Sequence, residues 1–218
     1  PFNSANFIIN KIPEFLEKNP GIIDILTADD IPGENCFGVI PEFSDQPVFA
    51  QNVTRFAGEA VAAIVGEAKA INEFELESFP IQWEEQPAVL YPTEATTIGA
   101  PRLHVQRTDN ILIKGYVASG DTAGALIGSV HTIENKYETP FIEHAYIEPE
   151  AGYAIRDRNR IIIHGCTQAP FMNRDSISRI LGLRSEDVRI IPTGCGGGFG
   201  SKLDLSYQPY IALAAWKL

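Results

Sequence analysis

A run of glycines broken by one aromatic residue carries the clearest chemical signal in the chain: Thr193-Gly194-Cys195-Gly196-Gly197-Gly198-Phe199-Gly200-Ser201-Lys202. Glycines at 194, 196, 197, 198 and 200 leave almost no Cβ atoms in the way, so backbone N–H groups can approach a bulky, electron-rich ligand. Phe199 adds a large rigid wall that a flexible linker would not need. Two nucleotide patterns fail here. A phosphate loop needs Gly directly before its Lys, whereas Lys202 follows Ser201. The G-x-G-x-x-G pattern ends on Ser201 when started at Gly196 and on Phe199 when started at Gly194. From local sequence alone the run reads equally as a ligand cradle or as a tight strand-to-helix turn.

Other reactive side chains are less specific. His164 and Cys166 share one face of a strand, which permits metal ligation, but no second ligand pair has the spacing of a zinc site. Glu143, His144, Glu148 and Glu150 form the densest ionisable group and read as a solvated strand end or a structural hydrogen-bond network. Lys202 either contacts a ligand oxygen or snorkels beside the next helix. Asp204 reads as an N-cap or first-turn acid of that helix.

The elements that must hold these residues follow from periodicity. Val188 to Ile191 is a strand leading into the glycine loop, and Leu205 to Leu218 is helical, with Pro209 setting its first turn near Gln208. Ser129 to Tyr137, Ala151 to Arg156 and Arg160 to Gly165 read as strands, the last two joined by a turn at Asp157-Arg158-Asn159. Arg174 to Leu181 is a helix ended by Gly182. Nearer the N-terminus, Ile12, Phe15 and Leu16 mark a short helix before a strand at Ile22 to Leu26. Ala60 to Gly66 is a strand, Ala68 to Phe79 a helix, and Ile81 to Glu84 a further strand. Tyr91 to Gly128 has weak periodicity and reads as a connection between domains. The order predicts an α+β fold with a covered sheet face.

Composition narrows the function classes. The 218 residues are 44% hydrophobic and 21% charged, ordinary for a globular protein. A net charge of -11 without a local basic stripe argues against nucleic acid. No membrane span or signal peptide is visible, which points to the cytoplasm. Cys36, Cys166 and Cys195 are too scattered for a disulfide framework or a self-contained iron–sulfur cluster. The chain starts at Pro1 and stops within an apolar helical pattern, so we expect a piece of a longer polypeptide.

Taken in order, several segments resemble the molybdenum hydroxylases, the xanthine dehydrogenase and aldehyde oxidase family. Gly196 to Lys202 is similar to that family's GGGFGGK loop, with Ser201 in place of a glycine. Cys166-Thr167-Gln168-Ala169-Pro170 resembles its [ST]-T-Q segment, and Glu143 to Glu150 its H-x-x-x-E-P-E segment. Arg55 to Val65 and Trp83 to Val89 resemble strands of its α/β hammerhead domain. The resemblance implies a hammerhead domain at 1–100, a connection at 101–114, and the first part of a molybdopterin-binding α+β domain at 115–218.

It also implies roles. Gln168, with a donor and an acceptor in one uncharged group, would hydrogen-bond a molybdenum oxo group as the catalytic side chain near the metal without ligating it. Phe199 and Gly200 would face the molybdenum centre, and Gly196, Gly197 and Gly198 would let molybdopterin, including its cytosine dinucleotide form, come close. The implied reaction inserts water-derived oxygen at an electron-poor carbon of an N-heterocycle or aldehyde. Electrons then pass to iron–sulfur clusters and FAD on other domains or subunits. The implied partners are a small-molecule substrate, the rest of the molybdenum-binding subunit, an iron–sulfur subunit and an FAD subunit. Leu203 stands on the substrate side, where some purine-oxidising relatives carry glutamate, so xanthine itself is disfavoured. The family's general base comes from a segment not matched here. A second reading keeps the hammerhead fold as a noncatalytic acidic assembly module; intact Gln168, Phe199 and Gly200 favour the first.

Overall fold

The computed structural model describes residues 1–218, the side chain of Pro41 excepted. Strand β1 (Ala5–Ile9) is central to a three-stranded antiparallel sheet, between β3 (Val53–Thr54) and β5 (Ile81–Glu85). It buries Ala5 and Phe7 in alternation, and Phe7 lies against its cross-strand partner Trp83 with ring centroids 5.5 Å apart. A second ribbon pairs β2 (Ile22–Leu26) with β4 (Ala63–Gly66). Helix α1 (Ile12–Lys18) carries Pro13 in its first turn and buries Phe15 against Ile22 and Ile25.

The helix expected over 68–79 is only α2 (Ala68–Asn72), followed by a 3-10 turn at Leu76–Ser78. Phe74 and Phe79 both pack edge-on against Phe15, at 5.9 and 6.1 Å. Five residues apart on one helix they would diverge by about 140°. Breaking the helix lets both rings reach the same core residue.

Residues 91–143 form a compact unit of their own, holding α3 (Pro92–Ala95) and α4 (Thr122–Gly128). Asp121 caps α4 by accepting the Gly124 N–H at 2.9 Å. The strand expected at 129–137 is absent. Its residues are exposed, and no strand among the described residues pairs with them, so the apolar positions alone do not make a ladder.

The other unit joins residues 1–90 to 144–218. In its second half β6 (Gly152–Asp157) and β7 (Arg160–Gly165) form an antiparallel hairpin, turning at Arg158 and Asn159 as expected. Helix α5 (Pro170–Leu181) then crosses back to β8 (Val188–Pro192), which lies parallel to β7. It begins earlier than the expected Arg174 because Pro170 fits the first helical turn, and it ends on Gly182 in the left-handed conformation, φ 64°. The last helix, α6 (Gln208–Lys217), packs on β6 and β7. Ile161, Ile163, Ile177, Ile180 and Leu213 share one core with Leu26, Val48 and Phe49, so both halves of this unit close a common interior. No helix of the described residues is long and apolar enough to cross a membrane.

Backbone hydrogen bonds also cross the junction between these halves. Gly33 and Glu34 donate their N–H groups to the Ile180 and Arg179 carbonyls, each at 3.0 Å, satisfying the C-terminal end of α5. A Cβ on Gly33 would stand 2.0 Å from the Arg179 oxygen and 2.6 Å from the Gly182 nitrogen. We therefore expect Gly33→Ala to destabilise by about 2 kcal/mol, lowering the unfolding midpoint by roughly 4–8 °C. Calorimetry of the variant checks this, and an unchanged midpoint contradicts it.

Candidate functional site

Parallel pairing places the ends of β7 and β8 side by side, with Gly165 opposite Pro192. The segment after β7 is Cys166-Thr167-Gln168, and the segment after β8 is the glycine loop. Thr193 extends the pairing by donating its N–H to the Gly165 carbonyl at 3.1 Å. The carboxyl ends of neighbouring parallel strands are where open α/β sheets present ligand sites.

The base of this site is fastened by buried polar side chains. Thr167 Oγ1 donates to Asn173 Oδ1 and accepts the Ala169 N–H, while Asn173 Nδ2 holds the Leu203 carbonyl at 2.9 Å. Gln168 donates its own N–H to the Lys202 carbonyl at 2.9 Å. Its side-chain Oε1 accepts the Gly200 and Lys202 N–H groups, each at 3.2 Å. That leaves Gln168 Nε2 with no acceptor among the described residues, on an exposed side chain. The carboxamide is thus divided: oxygen toward the loop, donor nitrogen available to a ligand.

The loop wraps closely around this group. A Cβ at Gly198 would lie 2.4 Å from Gln168 Oε1, and one at Gly196 would lie 2.7 Å from the Glu148 Cβ. Gly197 and Gly200 have φ of 103° and 98°, and Phe199, with φ 53°, adopts the left-handed region although it carries a Cβ. Such a conformation costs a non-glycine residue roughly 1–2 kcal/mol. Phe199 adopts it while 74% exposed, a wall facing outward instead of a core side chain. The N–H groups of Gly197, Gly198 and Phe199 have no acceptor among the described residues. Clustered backbone donors of this kind favour an electron-rich or anionic ligand. The sequence-predicted residues 168 and 196–200 are therefore brought together, with Leu203, 38% exposed, immediately beyond the loop.

Of the two expectations for Lys202, the structure overturns the snorkelling one. The side chain is 1% exposed, with Nζ 2.6 Å from Glu148 Oε2 and 4.4 Å from the Tyr146 ring centroid. Glu148 also accepts the Gly196 N–H at 2.7 Å, and Tyr146 donates its hydroxyl to Glu150 at 3.0 Å. Lys202 and Gly196 hold the Glu148 carboxyl below its ordinary range. Burial works against the Lys202 ammonium, but the hydrogen bond and charge of Glu148 together with Cys166 outweigh it and raise the lysine. The E-P-E segment was legible as a structural network, but its partner was not, because the contact spans 54 residues of sequence.

One further expectation changes. Asp204 is not a helix cap, since α6 begins at Gln208 behind Tyr207; its carboxylate instead accepts the Leu205 N–H at 2.9 Å, and burial raises its pKa. His164 and Cys166 do not form a metal pair. His164 stacks on Tyr153 with centroids 4.6 Å apart, whereas buried Cys166 meets the Tyr207 hydroxyl at 3.9 Å. No group of His, Cys, Asp or Glu side chains among the described residues is arranged to hold a metal ion. Burial, then Cys166, pushes the Tyr207 hydroxyl well above its ordinary pKa.

Comparison with known proteins bears on the ligand. A family model described as the molybdopterin cofactor-binding domain matches residues 103–218, and one described as the aldehyde oxidase and xanthine dehydrogenase a/b hammerhead domain matches 13–87. A probable xanthine dehydrogenase subunit of Bacillus subtilis (strain 168) is 34% identical over 92% of this chain and 27% of its own length. The nicotinate dehydrogenase large molybdopterin subunit of Eubacterium barkeri is 30% identical over 90% of this chain and 45% of its own length. The chain thus spans a quarter to under half of these relatives. The fold matches that of the aldehyde oxidoreductase from Desulfovibrio gigas, with a TM-score of 0.88 at 22% identity over 99% of this chain and 24% of that one.

The Glu148–Lys202 pair gives a pH dependence of fixed sign. Glu148 has a lowered folded pKa, so its stabilisation is full above the ordinary glutamate value and is lost as pH falls through the folded one. Lys202 has a raised folded pKa, so its share persists through neutral pH and is lost only as pH rises through that raised value. The excess unfolding midpoint of the intact wild-type protein over Glu148→Gln should be constant near neutrality and shrink below about pH 4. A difference that stays constant down to about pH 3 contradicts this.

Proposed function

We propose that this chain, which belongs to the aldehyde oxidase and xanthine dehydrogenase family of molybdopterin-binding proteins, supplies one wall of the molybdopterin site in a larger oxidoreductase. Within it we assign residues 1–100 to the hammerhead domain, 101–114 to a connection, and 115–218 to the first part of the cofactor-binding domain. The observation that carries the reading is the divided Gln168 carboxamide, whose nitrogen is left available beside backbone donors of the glycine loop.

The residues present fit such a group. Gly197, Gly198 and Phe199 would offer their N–H groups to its electron-rich atoms, and Gln168 would donate through Nε2 to an oxygen on it without adding charge. Phe199 would exclude water from that side. When bound, molybdopterin supplies the redox centre that accepts two electrons from substrate. What this chain contributes is orientation and donors already in place before charge develops, the arrangement in which a hydrogen bond helps most.

The substrate class we infer is an N-heterocycle or an aldehyde, hydroxylated with oxygen from water. Leu203 beside the loop offers no charge for a purine and favours the less polar members of that class. The general base, the iron–sulfur clusters and FAD would come from the rest of the molybdenum subunit and from partner subunits, in a cytoplasmic complex. The donors of the loop and of Gln168 would address parts of molybdopterin common to its simple and cytosine dinucleotide forms, so both fit.

Metal and pterin analysis of the intact complex tests the reading. Molybdenum and pterin in the wild type support it, and a folded complex free of both would identify an assembly module instead. Gly198→Val should empty the site, because its side chain occupies the place of the Gln168 carboxamide. Gln168→Glu keeps acceptors for the loop but removes the donor. We expect it to stay folded and to lower turnover roughly a hundredfold. Wild-type cofactor content in the first variant, or wild-type turnover in the second, contradicts the assignment.

A further inference from the structure

Lys202 holds an ammonium in the interior at the end of a loop whose other groups face a ligand. Burying such a charge is unfavourable unless it is paired and hydrogen-bonded. Nothing in the functional reading uses it. An apolar side chain of the same length would fill the slot, so packing alone does not account for the charge.

Its partner explains it. The Glu148 Oε2 atom that meets Lys202 Nζ at 2.6 Å also accepts the Gly196 N–H at 2.7 Å. Gly196 lies near the start of the glycine run and Lys202 just beyond its end, so a single carboxylate oxygen ties the loop at both ends. Between these ties the chain holds positive φ at Gly197, Phe199 and Gly200. A free segment containing Phe199 would relax away from that conformation. The slot also suits an ammonium: the Tyr146 ring covers Nζ, and the Glu148 carbonyl lies 3.3 Å from it.

We propose that Glu148 and Lys202 are positioning residues for the cofactor, an ion pair that closes the glycine loop at both ends and fixes the direction of the Gly197, Gly198 and Phe199 N–H groups. The proposal rests on the molybdopterin reading above. It separates charge from volume, because Lys202→Met keeps an unbranched side chain only one heavy atom shorter and Glu148→Gln is isosteric. Glu148→Gln also leaves Lys202 its contacts with the Tyr146 ring and the residue 148 carbonyl, and its amide oxygen can still accept from Nζ, so we expect that variant to fold with a lowered unfolding midpoint.

The test uses the intact complex carrying Lys202→Met or Glu148→Gln. Molybdenum and pterin are measured through prolonged dialysis, and the Mo(V) electron paramagnetic resonance signal is recorded for the fraction retained. Both variants should lose cofactor at least about tenfold faster than wild type, as loss of an outer partner of a metal site commonly does. The retained fraction should give a shifted Mo(V) signal, which a defect confined to stability would not produce. Wild-type release rates with an unshifted signal overturn the proposal and leave the molybdopterin reading intact. If Lys202→Met does not fold, Glu148→Gln decides by the same criteria. A wild-type complex without molybdenum or pterin overturns the functional reading, and this proposal with it.

Discussion

The parallel pairing of β7 with β8 is the constraint on which the site depends. Antiparallel neighbours would send their following segments to opposite ends of the sheet. Parallel ones deliver both to the same end, so Gln168 and the glycine loop meet although about 30 residues of chain separate them. Helix α5 makes this possible by crossing back over the sheet, and its own end is completed by Gly33 and Glu34 from the hammerhead half. The position of the loop therefore rests on a core built from both ends of the sequence.

On that frame, polarity is distributed with a consistent logic. Buried Thr167 and Asn173 satisfy one another and the base of the loop, so none of their hydrogen-bonding capacity is directed at a ligand. Gln168 is shared, its oxygen given to the loop and its nitrogen left over. The backbone N–H groups of half-buried Gly197, buried Gly198 and exposed Phe199 have no acceptor among the described residues. Moving outward from the sheet, hydrogen bonds pass from internal fastening to external availability, which is how a rigid scaffold presents donors without reorganising.

Much of this was legible in the sequence. The β6–β7 hairpin, the strand into the loop, the Gly182 stop and the start of α6 near Gln208 all follow from local turn and capping chemistry. The glycines and Gln168 were legible as a candidate site because they resemble an ordered family pattern, and the structure brings them together. What was not legible depends on long-range partners. The 129–137 segment has strand-like residues but no strand to pair with among those described, and periodicity does not report that. The helix after Ala68 stops because two phenylalanines converge on Phe15, a demand set by a residue more than 50 positions earlier. The burial of Lys202 was not legible because its carboxylate partner lies far away in sequence.

The central claim is that the glycine loop and Gln168 together face a molybdenum-bearing pterin. Anomalous diffraction at the molybdenum absorption edge, on crystals of the intact loaded protein, tests it most directly. A molybdenum peak is expected beside Gln168 Nε2, with its organic ligand accepting N–H groups from Gly197 to Phe199. A molybdenum peak elsewhere, with Gln168 Nε2 and these amides facing only solvent, would contradict it.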